Sequence, residues 1–120
     1  MTDLRHDLGL AGERLAAEHL ERLGYDILAR RHRTRFGELD LVAADERTIV
    51  FVEVKTRRST GEPLDAMTLG KCGQVRRMAA AWLPQVSERP RRAALRFDAV
   101  GVVLDGGGAL VRLDHVEDAF

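Results

Sequence analysis

Residues Gly37 to Thr56 read GELDLVAADERTIVFVEVKT, two apolar and partly β-branched runs separated by the polar triplet Asp45-Glu46-Arg47. Valine, isoleucine, threonine and phenylalanine suit a pleated, half-buried surface, and so short a polar connection closes a hairpin. The expected strands cover residues 38–44 and 48–56. Side chains alternate along a strand, so parity sets Leu39, Leu41 and Ala43 on one face and Glu38, Asp40 and Val42 on the other. On the second strand Val50, Val52 and Val54 oppose Ile49, Phe51, Glu53 and Lys55. A loop of even length, two residues at Glu46-Arg47 or four, pairs Ala43 with Val50 and Leu41 with Val52. It then sets Asp40 across from Glu53 and Glu38 across from Lys55, a match that a loop of odd length destroys.

That register brings like charges together at a cost. Directly opposed residues have Cβ atoms ~5 Å apart, where two carboxylates repel. Such a pair shares either a proton or a cation. Val42 and Phe51 lie further along the same face and partly desolvate it. A donor set of carboxylates without cysteine or histidine favours Mg²⁺ or Mn²⁺ over zinc, and the backbone carbonyl of Val54 can add an oxygen. Lys55 emerges beside Glu53, placed to hold an attacking water or to stabilise charge on a phosphate oxygen. Charge pairs decorating a solvated sheet face fit the same spacing. Against that, the charges interrupt otherwise apolar strands.

Working outward, Leu8, Ala11, Leu15, Ala16, His19, Leu20 and Leu23 recur at helical spacing, with Gly24 in the C-cap place, which predicts a helix over 7–23. Glu13 shares a helix face with Ala16, Ala17 and Leu20 and borders the apolar stripe. It is either a further member of the acidic site or a boundary residue reaching solvent. A strand over 25–30 leads into the basic stretch Arg30, Arg31, His32, Arg33 and Arg35. Ser59 to Pro63 reads as loop, a second helix runs over 68–83 and stops at Pro84, and a charged connection fills 85–92. Strands over 94–104 and 109–116 follow, joined by Asp105-Gly106-Gly107-Gly108. The order predicts an α/β fold, one mixed β-sheet of about five strands flanked by helices.

With 120 residues the chain makes one domain with one core. Nineteen basic residues balance nineteen acidic ones, so any attraction to a polyanion must come from local clustering. Arg31, Arg33 and Arg35 precede the site and Arg57 and Arg58 follow it, while Lys71 comes from the second helix. Such groups bind phosphate backbones, or form a solvated rim. Aromatic residues are few, which argues against base stacking on single strands. Arg96 and Asp98 share a strand face as a structural ion pair. The four histidines are scattered without metal-ligand spacing. A lone cysteine, Cys72, rules out an intrachain disulfide. With a polar N-terminus and no long apolar run, the expectation is a cytoplasmic protein with no membrane partner.

Gly12-Glu13, Gly37-Glu38-Leu39-Asp40-Leu41, Phe51-Val52-Glu53-Val54-Lys55-Thr56-Arg57 and Arg96-Phe97-Asp98 together resemble the YraN-like family of small bacterial proteins. The resemblance spans nearly the whole chain. It implies a restriction-endonuclease-like fold, similar to archaeal Holliday-junction resolvases, with a PD-(D/E)-x-K core. In that pattern the catalytic acids fall on Asp40 and Glu53 and the lysine on Lys55; the helix glutamate falls on Glu13. The implied activity is Mg²⁺- or Mn²⁺-dependent hydrolysis of DNA, duplex or branched, by a homodimer in analogy with the resolvases. The alternative is a non-catalytic DNA-binding protein that keeps the fold; an interaction module with a vestigial site is a third. Leu39 stands where the wider pattern has proline. Cys72 stands where the family carries glutamine beside the matching Lys71.

Overall fold

The computed structural model describes residues 4–58, 69–85 and 94–120, with backbone alone for residues 4–5, 69–73 and 85. Helix α1 (Leu4–Arg22) is followed by strands β1 (Asp26–Thr34), β2 (Gly37–Ala44) and β3 (Thr48–Arg58). Then come α2 (Leu69–Trp82), a short 3-10 turn (Leu83–Gln85), β4 (Ala94–Leu104) and β5 (Leu110–Val116). One sheet has the order β1-β2-β3-β4-β5, antiparallel except where β3 and β4 run parallel. Parallel neighbours need a crossover, and α2 lies in that connection. The expected α/β layering, a mixed five-stranded sheet between two helices, is what the chain adopts.

Two apolar clusters hold the layers. On one face Ala16, Ala17 and Leu20 of α1 meet Leu41, Ala43, Val50, Val52, Val100 and Val102. On the other, Val75, Met78, Ala79 and Trp82 of α2 cover Val42, Ile49, Phe51 and Phe97. Phe51 anchors this second core, edge-on to Trp82 at 5.6 Å and stacked with Phe97 at 5.4 Å. Among the described residues no helix is long and apolar enough to cross a membrane.

Local chemistry sets the boundaries. Helix α1 ends at Gly24, whose φ of 98° suits glycine, while the Tyr25 N–H closes on the Leu20 carbonyl at 3.1 Å. In the β2–β3 turn, Asp45 Oδ1 accepts from the N–H groups of Arg47 and Thr48, each at 2.8 Å. The turn holds Glu46 and Arg47, and the register is the even one: Ala43 faces Val50 and Leu41 faces Val52. Strand β1 runs four residues past the expected end at Arg30, to Thr34. The basic stretch is strand through Arg33, with Arg35 in the turn that follows, because β1 is a sheet edge whose charged side chains reach water while its backbone pairs with β2. A bulge at Leu28 turns Ile27 toward α1 and Ala29 toward α2. The expected loop at 59–63, the connection over 86–92 and the helix start at Thr68 lie outside the described residues.

Arg96 and Asp98 form the ion pair expected of their shared face, and it is the centre of a larger network. Asp98, with a side chain 0% exposed, accepts from Arg96 Nε and Nη2 (both 2.8 Å) and from the Asp118 N–H at 3.0 Å. His115 Nε2 lies 2.7 Å from Asp98, and His115 Nδ1 lies 3.0 Å from His19 Nε2 on α1. Arg96 also donates to the Tyr25 hydroxyl at 2.9 Å. Burial pushes the Asp98 carboxyl up, but the hydrogen bonds from His115, Arg96 and the Asp118 N–H outweigh it and hold the group below the usual aspartate value. Its contribution to stability is therefore present above the ordinary aspartate pKa and is lost as pH falls through the lowered one. Asp98→Ala strands a partly buried guanidinium and should cost about 3–5 kcal/mol in urea denaturation at pH 7. A loss under about 1 kcal/mol would show that the network does not carry the packing of α1, β4 and β5.

Candidate metal centre

The β2–β3 ladder runs from Ala44–Ile49 to Leu41–Val52 and stops there. Asp40 and Glu53 are next in the same register but do not form a ladder pair; Asp40 Oδ2 accepts the Val54 N–H at 2.8 Å. A carboxylate takes the place of a backbone partner while β3 continues beside β4 to Arg58. Face alternation also breaks here. Leu39 packs in the α2-side cluster with Val42 and Ala44, whereas Leu41 and Ala43 pack on the α1 side. The expected grouping of Leu39 with Leu41 is thus wrong, and Glu38 does not face Lys55 across a ladder. Parity counts assume an unbroken pleat. Opposite Asp40, between the pairs Arg30–Leu41 and His32–Leu39, Arg31 takes a left-handed φ of 50°.

The break gathers acids. Glu13, Glu38 and Asp40 each offer a carboxylate oxygen, all within 4.8 Å of one another. Glu13 arrives from α1 because Gly12 lets the helix press onto β3: a Cβ there would overlap the Thr56 side chain. Its Oε2 is buried and has no hydrogen-bond donor among the described residues. Arg31 Nε is 3.6 Å from Glu13 Oε2 and 3.6 Å from Glu38 Oε1. Burial pushes the Glu13 carboxyl above the ordinary glutamate value, with Glu38 and Glu53 adding to the rise and Arg31 opposing it.

Glu53 is buried, 4% exposed, and acts electrostatically on Glu13 without joining the group of three. Lys55 follows it on β3, half-buried, beside Gly101 of β4. The structure ties Val54 to Asp40 through its N–H. Glu38 is the residue that sequence reasoning did not assign to the acidic site. Its place beside Gly37 and two residues before Asp40 is the available signal, and the broken pleat makes it meaningful.

Of the basic residues, Arg33, Arg35, Arg57 and Arg58 are exposed at the end of the sheet where β1 and β3 finish and β2 begins. Arg35 lies over the Phe36 ring at 4.7 Å. Arg31 differs from them in turning into the acids. The side chains of Lys71 and Cys72 lie outside the described residues. Gln74 donates from Nε2 to the Phe36 carbonyl at 2.6 Å, tying α2 to the turn that launches β2.

A mixed sheet between two helices, with acids where β2 leaves β3, is a restriction-endonuclease-like α/β architecture. Within that class, residues 12–102 match the Uncharacterised protein family UPF0102, and the chain belongs to this family, the YraN-like one. It is 44% identical over 115 residues to a UPF0102 protein of Rhodococcus opacus (strain B4), covering 94% of this chain and 95% of that relative. A UPF0102 protein of Syntrophomonas wolfei is 42% identical over 120 residues, covering 98% and 100%. One of Bifidobacterium longum is 45% identical over 115 residues, covering 93% and 91%.

The raised Glu13 pKa carries a stability cost. Folding holds the proton more tightly than the unfolded chain does, so the penalty is absent below the unfolded value and grows as pH rises through the folded one. Glu13→Gln should therefore raise the melting temperature in EDTA at pH 7, with the gain vanishing as pH falls below the ordinary 4.5. An equal gain at pH 4 and pH 7 would show that charge is not its origin.

Proposed function

We propose that this protein is a Mg²⁺- or Mn²⁺-dependent nuclease that hydrolyses phosphodiester bonds in DNA, duplex or branched. The observation that carries this reading is the group Glu13, Glu38 and Asp40 at the fork between β2 and β3, with a buried Glu13 oxygen that has no hydrogen-bond donor among the described residues. Every donor in it is a carboxylate oxygen, the set that hard divalent cations take. Asp40 and Glu53 would hold the ion, with Glu13 and Glu38 joining directly or through water and the Val54 carbonyl as a further oxygen. A bound ion would supply Lewis-acid polarisation of a phosphate oxygen and a lowered pKa for a bound water.

The chain's own groups do the positioning. Asp40 is held by the Val54 N–H, so its second oxygen has a defined direction. Lys55 orients the attacking water and opposes charge developing on phosphate oxygens. Exposed Arg33, Arg35, Arg57 and Arg58 track the DNA backbone, a contact that weakens steeply with salt. A homodimer, in analogy with the resolvases, would offer two such sites to a branched substrate.

Titration calorimetry with Mn²⁺ should show binding to the wild type and none to Asp40→Ala; equal binding by both would remove Asp40 from the site. With Mn²⁺ and linear, flapped and four-way DNA, the wild type should cleave at least one substrate. Lys55→Ala should cleave it about 10²-fold more slowly or worse. Metal and DNA binding without cleavage of any of the three would instead favour the non-catalytic DNA-binding reading.

A further inference from the structure

Arg31 stands in the interior of β1, yet it is one of only two non-glycine residues with positive φ among those described. L side chains rarely adopt that conformation in a strand, and it persists only where the surroundings demand it. Here the distortion aims the guanidinium across β2 into the acids. Its Nε lies 3.6 Å from both Glu13 Oε2 and Glu38 Oε1. Those are ion-pair distances that stop short of a hydrogen bond, and Glu13 Oε2 has no donor among the described residues. The side chain is 39% exposed, so it has a path outward. Arg31 offsets part of the cluster's charge without being locked into it by a hydrogen bond.

We propose that Arg31 is a displaceable counter-ion: it occupies the acidic cluster when no divalent cation is bound, and a cation entering the cluster drives it out onto backbone phosphate of DNA. The inference rests on the metal-binding reading of the site. A doubly charged ion among these carboxylates outcompetes one guanidinium and repels it. Once released, Arg31 joins Arg33 on the same edge strand and Arg35 in the turn after it, where a phosphate is the anion at hand. Metal binding and DNA binding then reinforce each other, and by linkage each raises the affinity of the other.

Calorimetry with Mn²⁺ alone compares wild type, Arg31→Gln, and Arg31→Gly, which takes the positive φ without strain and keeps the test open if the glutamine variant folds poorly. Removing the competing charge should tighten Mn²⁺ binding about three- to tenfold. Binding of duplex DNA is then followed by fluorescence anisotropy across a salt series, with and without Ca²⁺ as a non-redox oxygen-seeking ion. With Ca²⁺ the log–log salt slope of the wild type should exceed that of the variants by about one phosphate contact; without it the slopes should agree. Unchanged Mn²⁺ affinity in both variants overturns the proposal, as does a slope difference that ignores Ca²⁺. Asp40→Ala separates the two levels: if wild type binds Mn²⁺ and Asp40→Ala does not, a failed Arg31 result leaves the metal site standing. If wild type and Asp40→Ala behave alike, the metal reading itself falls.

Discussion

One hydrogen bond, from the Val54 N–H to the Asp40 carboxylate at 2.8 Å, stands where β2 and β3 cease to be a ladder. A strand that parts from its neighbour leaves backbone donors with nowhere to go, and a buried orphan N–H is expensive. Asp40 removes that cost at the branch point, so β2 can depart while β3 keeps its pairing with β4 from Thr48 to Arg58. The fork has a second anchor at its far end. Gly37, with φ of 131°, starts β2 where a Cβ would crowd Gln74, and Gln74 bonds the Phe36 carbonyl. Between these two points the backbone carries Glu38 and Asp40 to the α1 side, where Glu13 meets them.

Two acids on that side of the sheet show how surroundings divide structure from chemistry. Asp98 is the more deeply buried of the two, yet three groups of donors converge on it and its carboxyl stays below the ordinary range. Glu13 is less buried, but burial raises its pKa with no hydrogen-bond donor to its inner oxygen among the described residues to offset it, and Glu38 and Glu53 add to the rise. A satisfied acid fastens the fold. An acid held against its own hydration and among like charges keeps free energy that a proton, a guanidinium or a metal ion can release. Burial raises both carboxyls, and the donors that offset it at Asp98 make the difference.

Much of this arrangement was legible in the residues. The polar triplet after Ala44 and the β-branched run after Arg47 specify a hairpin, and the turn on Glu46 and Arg47 settles its parity, pairing Leu41 with Val52. Helix α1, its glycine cap and the layering come from periodicity and punctuation. What periodicity cannot carry is its own interruption. Nothing in the residue types announces a bulge at Leu28 or a left-handed arginine at position 31, because both are imposed by neighbouring strands and a helix remote in sequence. Parity therefore kept Leu39 with Leu41 and set Glu38 against Lys55, and Glu38 was left outside the site. The expected strand stops at Arg30, short of Thr34, for a related reason: an edge strand tolerates a run of charge that a central strand does not.

The balanced charge of the chain does not decide what it attracts. Because β1, β2 and β3 are successive antiparallel strands, the ends of β1 and β3 and the start of β2 meet at one edge of the molecule. That topology collects Arg33, Arg35, Arg57 and Arg58 there, with the acids set inward along the same strands. At physiological ionic strength charges more than roughly 8 Å apart in solvent are largely screened from one another, so an approaching polyanion feels the rim before it feels the total. The sign alternates from rim to centre, positive outside and negative within. On the DNA-binding reading proposed above, such an order would hold a phosphate chain at its edge and repel it from the middle until the inner charge is neutralised. On that reading the inner acids set a condition on close approach, and it is met at the fork that Asp40 opens.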